Sequence, residues 1–497
     1  MTTSKPDLAK RDTVRPPLAG LVIAATLLLG GCAVNPATGE EMFSLMSPAE
    51  EARIGSTEHP KLLKQFGGAY RDGELVRYVS SIGQKLVRIS ELPNQRFTFT
   101  VVDSPMLNAF ALPGGYIYVT RGLLALANTE AELASVLAHE IGHVTARHAA
   151  QRYSQSLAAG IGLTVLGVLS GSRELARIAG QGAAIYLKSY SRAHELEADT
   201  LAIRYLKRAG YEPRAMVDFL HSMRAHAALD ARLKGRDPAK QDAFNIMATH
   251  PRTVERVNQA IRATAGSSVK NPTHNRGVYL GRIDGMVHGS GPEQGYVRGQ
   301  VFSHPVMGIR FQVPPGYRLI NGPREVVAKG PRGALIIFDG VNKGRHLPPV
   351  RYLRSLRARG LGLSQIEAIT INRLAAATGR RRINTSGGVR ELRIVVIRFD
   401  ARRMVRFLFL TPPHLNRRLE TDLQRTTYSF RRLSAAEAAK LRPYRIHILR
   451  VRPGDTAAGL AARMPYARFG REQFDVLNAL GPGTRLRTGE FVKVITE

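Results

Sequence analysis

The sequence is poor in what staples a chain or spans a bilayer. Of 497 residues one is cysteine, Cys32, which excludes an internal disulfide framework. Acidic residues are scarce, 39 against 72 Lys and Arg, so the formal charge is +33 and something must balance it or leave it solvated. Long apolar runs are also missing. Leu18 to Leu29 is too short to span a membrane comfortably, and Leu157 to Leu169 is broken by Gly160, Gly162 and Gly167, which suits a core-covering or membrane-touching hairpin. With 44% hydrophobic residues, the chain can still bury a large core, and its length suggests about three domains.

The single cysteine stands in an informative place. Lys10, Arg11 and Arg15 precede the apolar run, and Leu29-Gly30-Gly31-Cys32 resembles a bacterial lipobox. That resemblance implies cleavage after residue 31, acylation of Cys32 and a lipid-anchored tether over 32–45; the alternative is a plain secretory signal with a buried cysteine. Ala33 stands where inner-membrane lipoproteins commonly carry Asp, so the expected location is the periplasmic face of the outer membrane. Arginine clusters such as Arg380-Arg381-Arg382 would ordinarily suggest nucleic acid, but an exported, acylated chain would rarely meet it. Anionic head groups, cell-wall polymers or a merely solvated surface remain.

Periodicity predicts helices over 50–70 and 73–89 and a strand over 97–102. Gly114 and Gly115 then make a Pro-Gly-Gly turn, and the aromatic, β-branched run of Tyr116, Ile117 and Tyr118 reads as a second strand. By the residues alone it is either a core hairpin or an edge that pairs with an extended peptide. Thr129 and Glu132 form a capping box that opens a helix running to about Tyr153.

That helix carries His139-Glu140-Ile141-Gly142-His143. At about 100° per residue the two imidazoles lie about 40° apart on one face, with Glu140 beside them, the H-E-x-x-H arrangement of a zinc hydrolase. Two histidines leave zinc needing a third protein donor. A helix predicted over 185–206 supplies Glu195 and Asp199, four apart on one face, so one carboxylate can bind metal while the other orients an imidazole. Spacing does not say which. Glu197 lies about 200° from Glu195 and points elsewhere, His194 is a rival ligand, and His148, about 180° from His139, reads as solvated or structurally bonded.

Asn-Ala-Phe-Ala-x-Pro-Gly-Gly-Tyr, His-Glu-x-x-His, Ser-Arg-x-x-Glu-x-Glu-Ala-Asp and Thr-His-Pro followed by Arg256 occur in that order. Together they resemble the HtpX-like and CAAX prenyl protease-like zinc metallopeptidases, family forty-eight, of gluzincin type, and the lipobox points to the periplasmic BepA-like lipoprotein branch. The resemblance implies one zinc on His139, His143 and Glu195, Glu140 as general base, Asp199 as a supporting carboxylate, and Gly114 to Tyr118 as the substrate edge. His250 is expected near the metal, as a transition-state contact or a resting-state ligand. The helical repeats usual in that branch are absent.

The expected architecture is α+β throughout. A mainly helical zincin domain with a small edge-exposed sheet spans 46–270, and an α+β accessory domain with one intervening helix near Tyr352 spans 276–436. Residues 444–497 are similar to a LysM module of strand, two helices and strand, which implies either peptidoglycan binding or a structural cap. The expected activity is a zinc metalloendopeptidase acting on unfolded or misassembled envelope polypeptides. The rivals are a non-catalytic wall-binding lipoprotein with a structural metal and a peptidoglycan hydrolase.

Overall fold

The computed structural model describes residues 32–156, 189–237, 250, 254–266, 269–341, 346–385, 388–481 and 483–497. The expected signal peptide and the Leu157–Leu169 run lie outside the described residues. The segment expected as a tether is folded. Strand β1 (Cys32–Val34) pairs antiparallel with β2 (Glu41–Phe43) around Gly39, whose φ of +77° suits a residue without a Cβ. Asn35 Oδ1 accepts from Ala37 N at 2.9 Å inside the turn, and Ala37, Met42 and Met46 are buried. A local side-chain acceptor and three apolar contacts therefore turn a linker-like sequence into a hairpin seated on the domain.

Helices α1 (Pro48–Gln65) and α2 (Gly73–Val87) follow. Ser47 and Glu50 cap α1 reciprocally, and Asp72 caps α2, which buries Leu75, Val79, Ile82 and Leu86 at helical spacing. Strands β3 (Thr98–Val102), β4 (Ala109–Leu112) and β5 (Tyr116–Thr120) form one sheet in the order β3-β5-β4. This corrects the substrate-edge expectation for Gly114, Gly115, Tyr116, Ile117 and Tyr118, because β5 is the central strand. It pairs in parallel with β3 on one side and antiparallel with β4 on the other, so both its edges are used. The turn and the β-branched, aromatic run identified the strand, but its neighbours could not be read from them.

A short helix α3 (Arg121–Leu126) leads to the histidine-bearing α4 (Glu130–Thr145). Thr129 Oγ1 accepts from Glu132 N at 3.0 Å, whereas the Glu132 carboxylate reaches back to Asn128 N at 2.9 Å rather than to Thr129. The helix stops at Thr145 rather than about Tyr153. Arg147 takes a positive φ of 54°, and helical residues resume over 148–156 as α5. Helix α6 (Arg192–Arg208) is capped by Ser191 rather than beginning at residue 185. It packs tightly on α4 at Gly142, where a Cβ would meet Ala198 O at 3.2 Å and Leu201 Cβ at 3.3 Å. Helices α7 (Ala215–Leu233), α8 (Val254–Thr264) and α9 (Arg276–Ile283) complete this part.

Beyond the two-residue strand β6 (Val287–His288), the accessory part holds β7 (Tyr296–Arg298), β8 (Val301–His304) and β9 (Ile309–Gln312). Seven strands then build an antiparallel sheet: β10 (Arg318–Asn321), β11 (Glu325–Lys329), β12 (Leu335–Gly340), β13 (Ser364–Ile371), β14 (Leu374–Thr385), β15 (Gly388–Arg398) and β16 (Met404–Thr411). The helix α10 (Pro349–Leu356) buries Tyr352 and Leu353 as the sequence predicts. A second helix, α11 (Asn416–Ser429), corrects the expectation of one; it is too polar to show itself and buries Leu419, Leu423 and two threonines. Strand β17 (Arg431–Arg432) joins β9, and α12 (Ala435–Lys440) follows.

Residues 444–497 run β18 (Tyr444–Arg450), α13 (Ala457–Ala461), α14 (Gly470–Leu477) and β19 (Phe491–Thr496), and β18 also pairs with β6. Ile446, Leu460, Phe474 and Val494 belong to the same apolar core as Leu133, Leu137 and Ile141 of α4. Lys493 is wholly buried there and donates to the carbonyls of Ala125, Leu126 and Ala127 at 2.8, 3.3 and 2.8 Å, closing the C-terminal end of α3. Among the described residues no helix is long and apolar enough to cross a membrane.

Candidate active site

Helix α4 is buried along its whole length, so its polar side chains must find partners inside the protein. His139 and His143 come off one face as the spacing predicts, with Nε2 atoms 3.1 Å apart and rings nearly perpendicular. Across the Gly142 contact, α6 brings Glu195 against them, its Oε2 3.5 Å from His139 Nε2 and its Oε1 3.5 Å from His143 Nε2. His250 arrives from a distant part of the chain. Its Nδ1 lies 2.9 Å from Glu195 Oε1 and 3.2 Å from His139 Nε2. One donor atom from each of His139, His143, Glu195 and His250 falls within 4.8 Å of the others, and all four residues are buried.

The two carboxylates left open by the spacing separate here. Asp199 stands away from the cluster with Oδ1 2.9 Å from His139 Nδ1, where it orients the ring. Arg256 Nε and Nη2 donate to Asp199 Oδ2 and Oδ1 at 2.7 Å each, and Nη1 lies 2.5 Å from Glu195 Oε2. Burial alone would raise both carboxyls. His250 and Arg256 outweigh it and hold Glu195 well below its ordinary value, and Arg256 lowers Asp199. Burial likewise depresses His139, but the Asp199 and Glu195 carboxylates carry it up to about 9. His143 is pushed well below the ordinary imidazole value, chiefly by burial.

Glu140 is fully buried, its pKa raised by burial, and neither carboxylate oxygen makes a hydrogen bond among the described residues. His250 Nε2 lies 3.3 Å from Oε1. A buried carboxylate left without a donor is costly unless a ligand or reacting group uses it. Three imidazoles and one carboxylate converging beside it make a nitrogen and oxygen donor set that fits a divalent transition metal.

Of the two readings of His148, solvated or structurally bonded, the structure bears out the second. The residue is wholly buried, its Nδ1 2.8 Å from His143 Nδ1 and its Nε2 3.1 Å from Glu197 Oε2. The rotation that set it opposite His139 assumed one continuous helix, and the break at Arg147 returns it to the histidine face. Glu197 does turn from the donor cluster, but onto His148 and Asn35. His194 stays outside, stacked on His148 with its Nε2 3.2 Å from Gln151 Oε1. Tyr190, which no motif signalled, stacks on His143 with ring centroids 3.9 Å apart.

Residues 75–264 match the profile of Peptidase family M48. Over 218 residues the chain is 33% identical to the beta-barrel assembly-enhancing protease of Yersinia pestis, covering 42% of this chain and 43% of that one. The protein of the same name from Escherichia coli K12 is 31% identical over 235 residues, 45% of this chain and 46% of that one. Mitochondrial metalloendopeptidase OMA1 of Schizosaccharomyces pombe is 25% identical over 247 residues, 48% and 68% of the two chains. The chain thus spans under half the length of the assembly-enhancing proteases it matches. Among solved structures, the cyanobacterial PsbP of Synechocystis sp. PCC 6803 aligns over 29% of this chain and 99% of its own at 16% identity and a TM-score of 0.22, too low to carry an argument. The histidines, Glu140 and the two sorted carboxylates all fall inside the segment, residues 75–264, that matches Peptidase family M48.

Proposed function

We propose that this chain is a zinc-dependent metalloendopeptidase that hydrolyses polypeptides. The observation that carries the reading is Glu140, a buried carboxylate without a hydrogen-bond donor among the described residues, set beside a cluster able to hold a metal. His139, His143 and Glu195 would hold the zinc, and Asp199 would fix the His139 ring. Zinc bound there supplies Lewis-acid polarisation of a carbonyl and lowers the pKa of water towards about 7. Glu140 takes the proton from the attacking water and passes it to the leaving amine, and the rise in its pKa on burial brings it nearer the working pH. Since β5 is internal, the substrate would pair with β4, the terminal strand of the sheet on the side of α4.

In this reading His250 is a resting-state ligand. Its inclusion among the four donors and the burial of all four support a closed site, since catalytic zinc needs an open position for water. Acylation at Cys32 would hold the enzyme at the periplasmic face of the outer membrane, and residues 444–497 would touch peptidoglycan. The lipobox-like Leu-Gly-Gly-Cys and the strand-helix-helix-strand order support these assignments. Misassembled envelope polypeptides would be the substrates, a reading that suits relatives named beta-barrel assembly-enhancing proteases.

The test compares casein hydrolysis by the wild type and Glu140→Gln, both loaded with zinc. Loss of activity in the variant is expected; equal activity would overturn the mechanism. A four-donor shell also suits a non-catalytic lipoprotein with structural zinc, and absence of hydrolysis by wild type and by His250→Ala alike would favour that reading. Purified sacculi digested in parallel would expose a peptidoglycan hydrolase.

A further inference from the structure

His143 turns its Nε2 to the donor cluster and its Nδ1 away from it, and the groups behind Nδ1 form a chain that ends in the amino-terminal hairpin. His143 Nδ1 lies 2.8 Å from His148 Nδ1, His148 Nε2 lies 3.1 Å from Glu197 Oε2, and Asn35 Nδ2 donates to Glu197 Oε1 at 2.7 Å. His148 is wholly buried and Asn35 is 4% exposed, so water competes little for these bonds.

If His143 binds metal through Nε2, one proton arrangement serves the whole chain. His143 then carries its proton on Nδ1 and donates to His148. His148, accepting on Nδ1, must carry its own proton on Nε2 and donate to Glu197. The carboxylate accepts from His148 on one oxygen and from Asn35 on the other. Had His148 been doubly protonated, His143 Nδ1 would have to accept, and the proton would sit on the nitrogen that faces the metal. The identity and direction of each link therefore decide whether His143 can ligate.

Asn35 is itself held on both sides. Its Oδ1 accepts from Ala37 N at 2.9 Å, its backbone N donates to Glu40 O at 2.8 Å, and its backbone carbonyl accepts from Gly39 N at 2.8 Å. Arg147 donates to Met46 O at 2.5 Å, and Ser154 Oγ accepts from Leu45 N at 2.8 Å, pinning the chain that leaves the hairpin to the segment that carries His148. The amide can neither rotate nor drift, so it presents its NH₂ to Glu197.

We propose that Asn35 is a positioning residue of the metal site: through Glu197 and His148 it fixes the ring plane and tautomer in which His143 can bind a metal. The inference rests on the reading of His143 as a ligand. It makes the hairpin that follows Cys32 part of the site, so that the stretch joining the expected lipid anchor to the domain also sets a ligand. Groups hydrogen-bonded to a metal ligand carry about 10–100-fold in metal affinity, and a residue two bonds further out is expected near the lower end.

Asn35→Asp is the discriminating variant. It keeps the acceptor that folds the turn but sets a carboxylate oxygen against the Glu197 carboxylate. Adding Glu197→Gln reverses the link: the new amide donates to the aspartate while its carbonyl still accepts from His148. Zinc affinity, measured by competition with a chromogenic chelator, and the visible spectrum of the cobalt-substituted protein are the readouts. Asn35→Asp and Glu197→Gln alone are each expected to weaken zinc binding roughly 10-fold and to alter the cobalt spectrum, and the double variant to recover both. Wild-type affinity and spectrum in either single variant would overturn the proposal, as would loss in the singles without recovery in the double. Should Asn35→Asp not fold, Glu197→Gln and the double variant make the same comparison. A wild type that binds no zinc would instead refute the proposed metal site itself.

Discussion

Arg256 and Asp199 form a buried two-point ion pair, Nε and Nη2 each 2.7 Å from a different carboxylate oxygen. Because Arg256 also reaches Glu195, one guanidinium holds down both acids of α6. The metal-free folded protein therefore binds fewer protons at these groups than the unfolded chain. Their stabilisation is present above the ordinary carboxyl values of 4.5 and 3.8 and is lost as pH falls through the lower folded values. In Arg256→Met burial goes unopposed by the guanidinium, and the folded values move up. The expected result is a loss of about 3–5 kcal/mol at pH 7 that shrinks as pH is lowered. Denaturant unfolding of metal-stripped proteins at pH 7 and 5 checks it, and parallel pH profiles would refute it.

Asp199→Asn leaves an acceptor near His139 but removes its charge. Metal affinity is expected to fall about 10–100-fold, with hydrolysis recovering at high zinc. Isothermal titration of the stripped protein measures the first and casein turnover the second. Unchanged affinity would mean that His139 is oriented by something else.

His250→Ala removes one of the four clustered donors and leaves three. If His250 is a resting-state ligand, casein turnover rises while zinc dissociates faster, because the fourth position opens to water. If it instead contacts the transition state, turnover drops with zinc affinity unchanged. Turnover and zinc release measured on the same preparations separate the two.

Lys493→Met would strand three carbonyls at the end of α3, just before the helix that carries the histidines. A cost of about 3 kcal/mol is expected, read as a lower Tm and faster proteolysis near Asn128. A Tm within a degree or so of wild type would show that residues 444–497 do not brace α4 through this contact.

The histidine pair, its glutamate and the two carboxylates of α6 were legible because each set lies on one helix, where covalent geometry alone fixes which side chains share a face. Residue types also located β3 and α10. The α11 helix was hidden because only Leu419 and Leu423 mark its buried face in an otherwise polar stretch. The break at Arg147 was hidden because nothing in Ala146-Arg147-His148 punctuates a helix, and it is what brings His148 against His143.

By itself, then, the sequence determined which groups could do the chemistry: two imidazoles and a glutamate one turn apart, and two carboxylates four residues apart. Spacing left open which carboxylate joins the cluster, which the family resemblance assigned to Glu195; the tertiary structure alone decided that Tyr116–Thr120 lies inside its sheet and that Asn35 meets Glu197 across 162 residues of chain. Spacing along one helix is set by bonds that every conformation shares. A contact between distant segments exists only where packing has closed the loop between them, and its geometry follows from the whole core rather than from either segment.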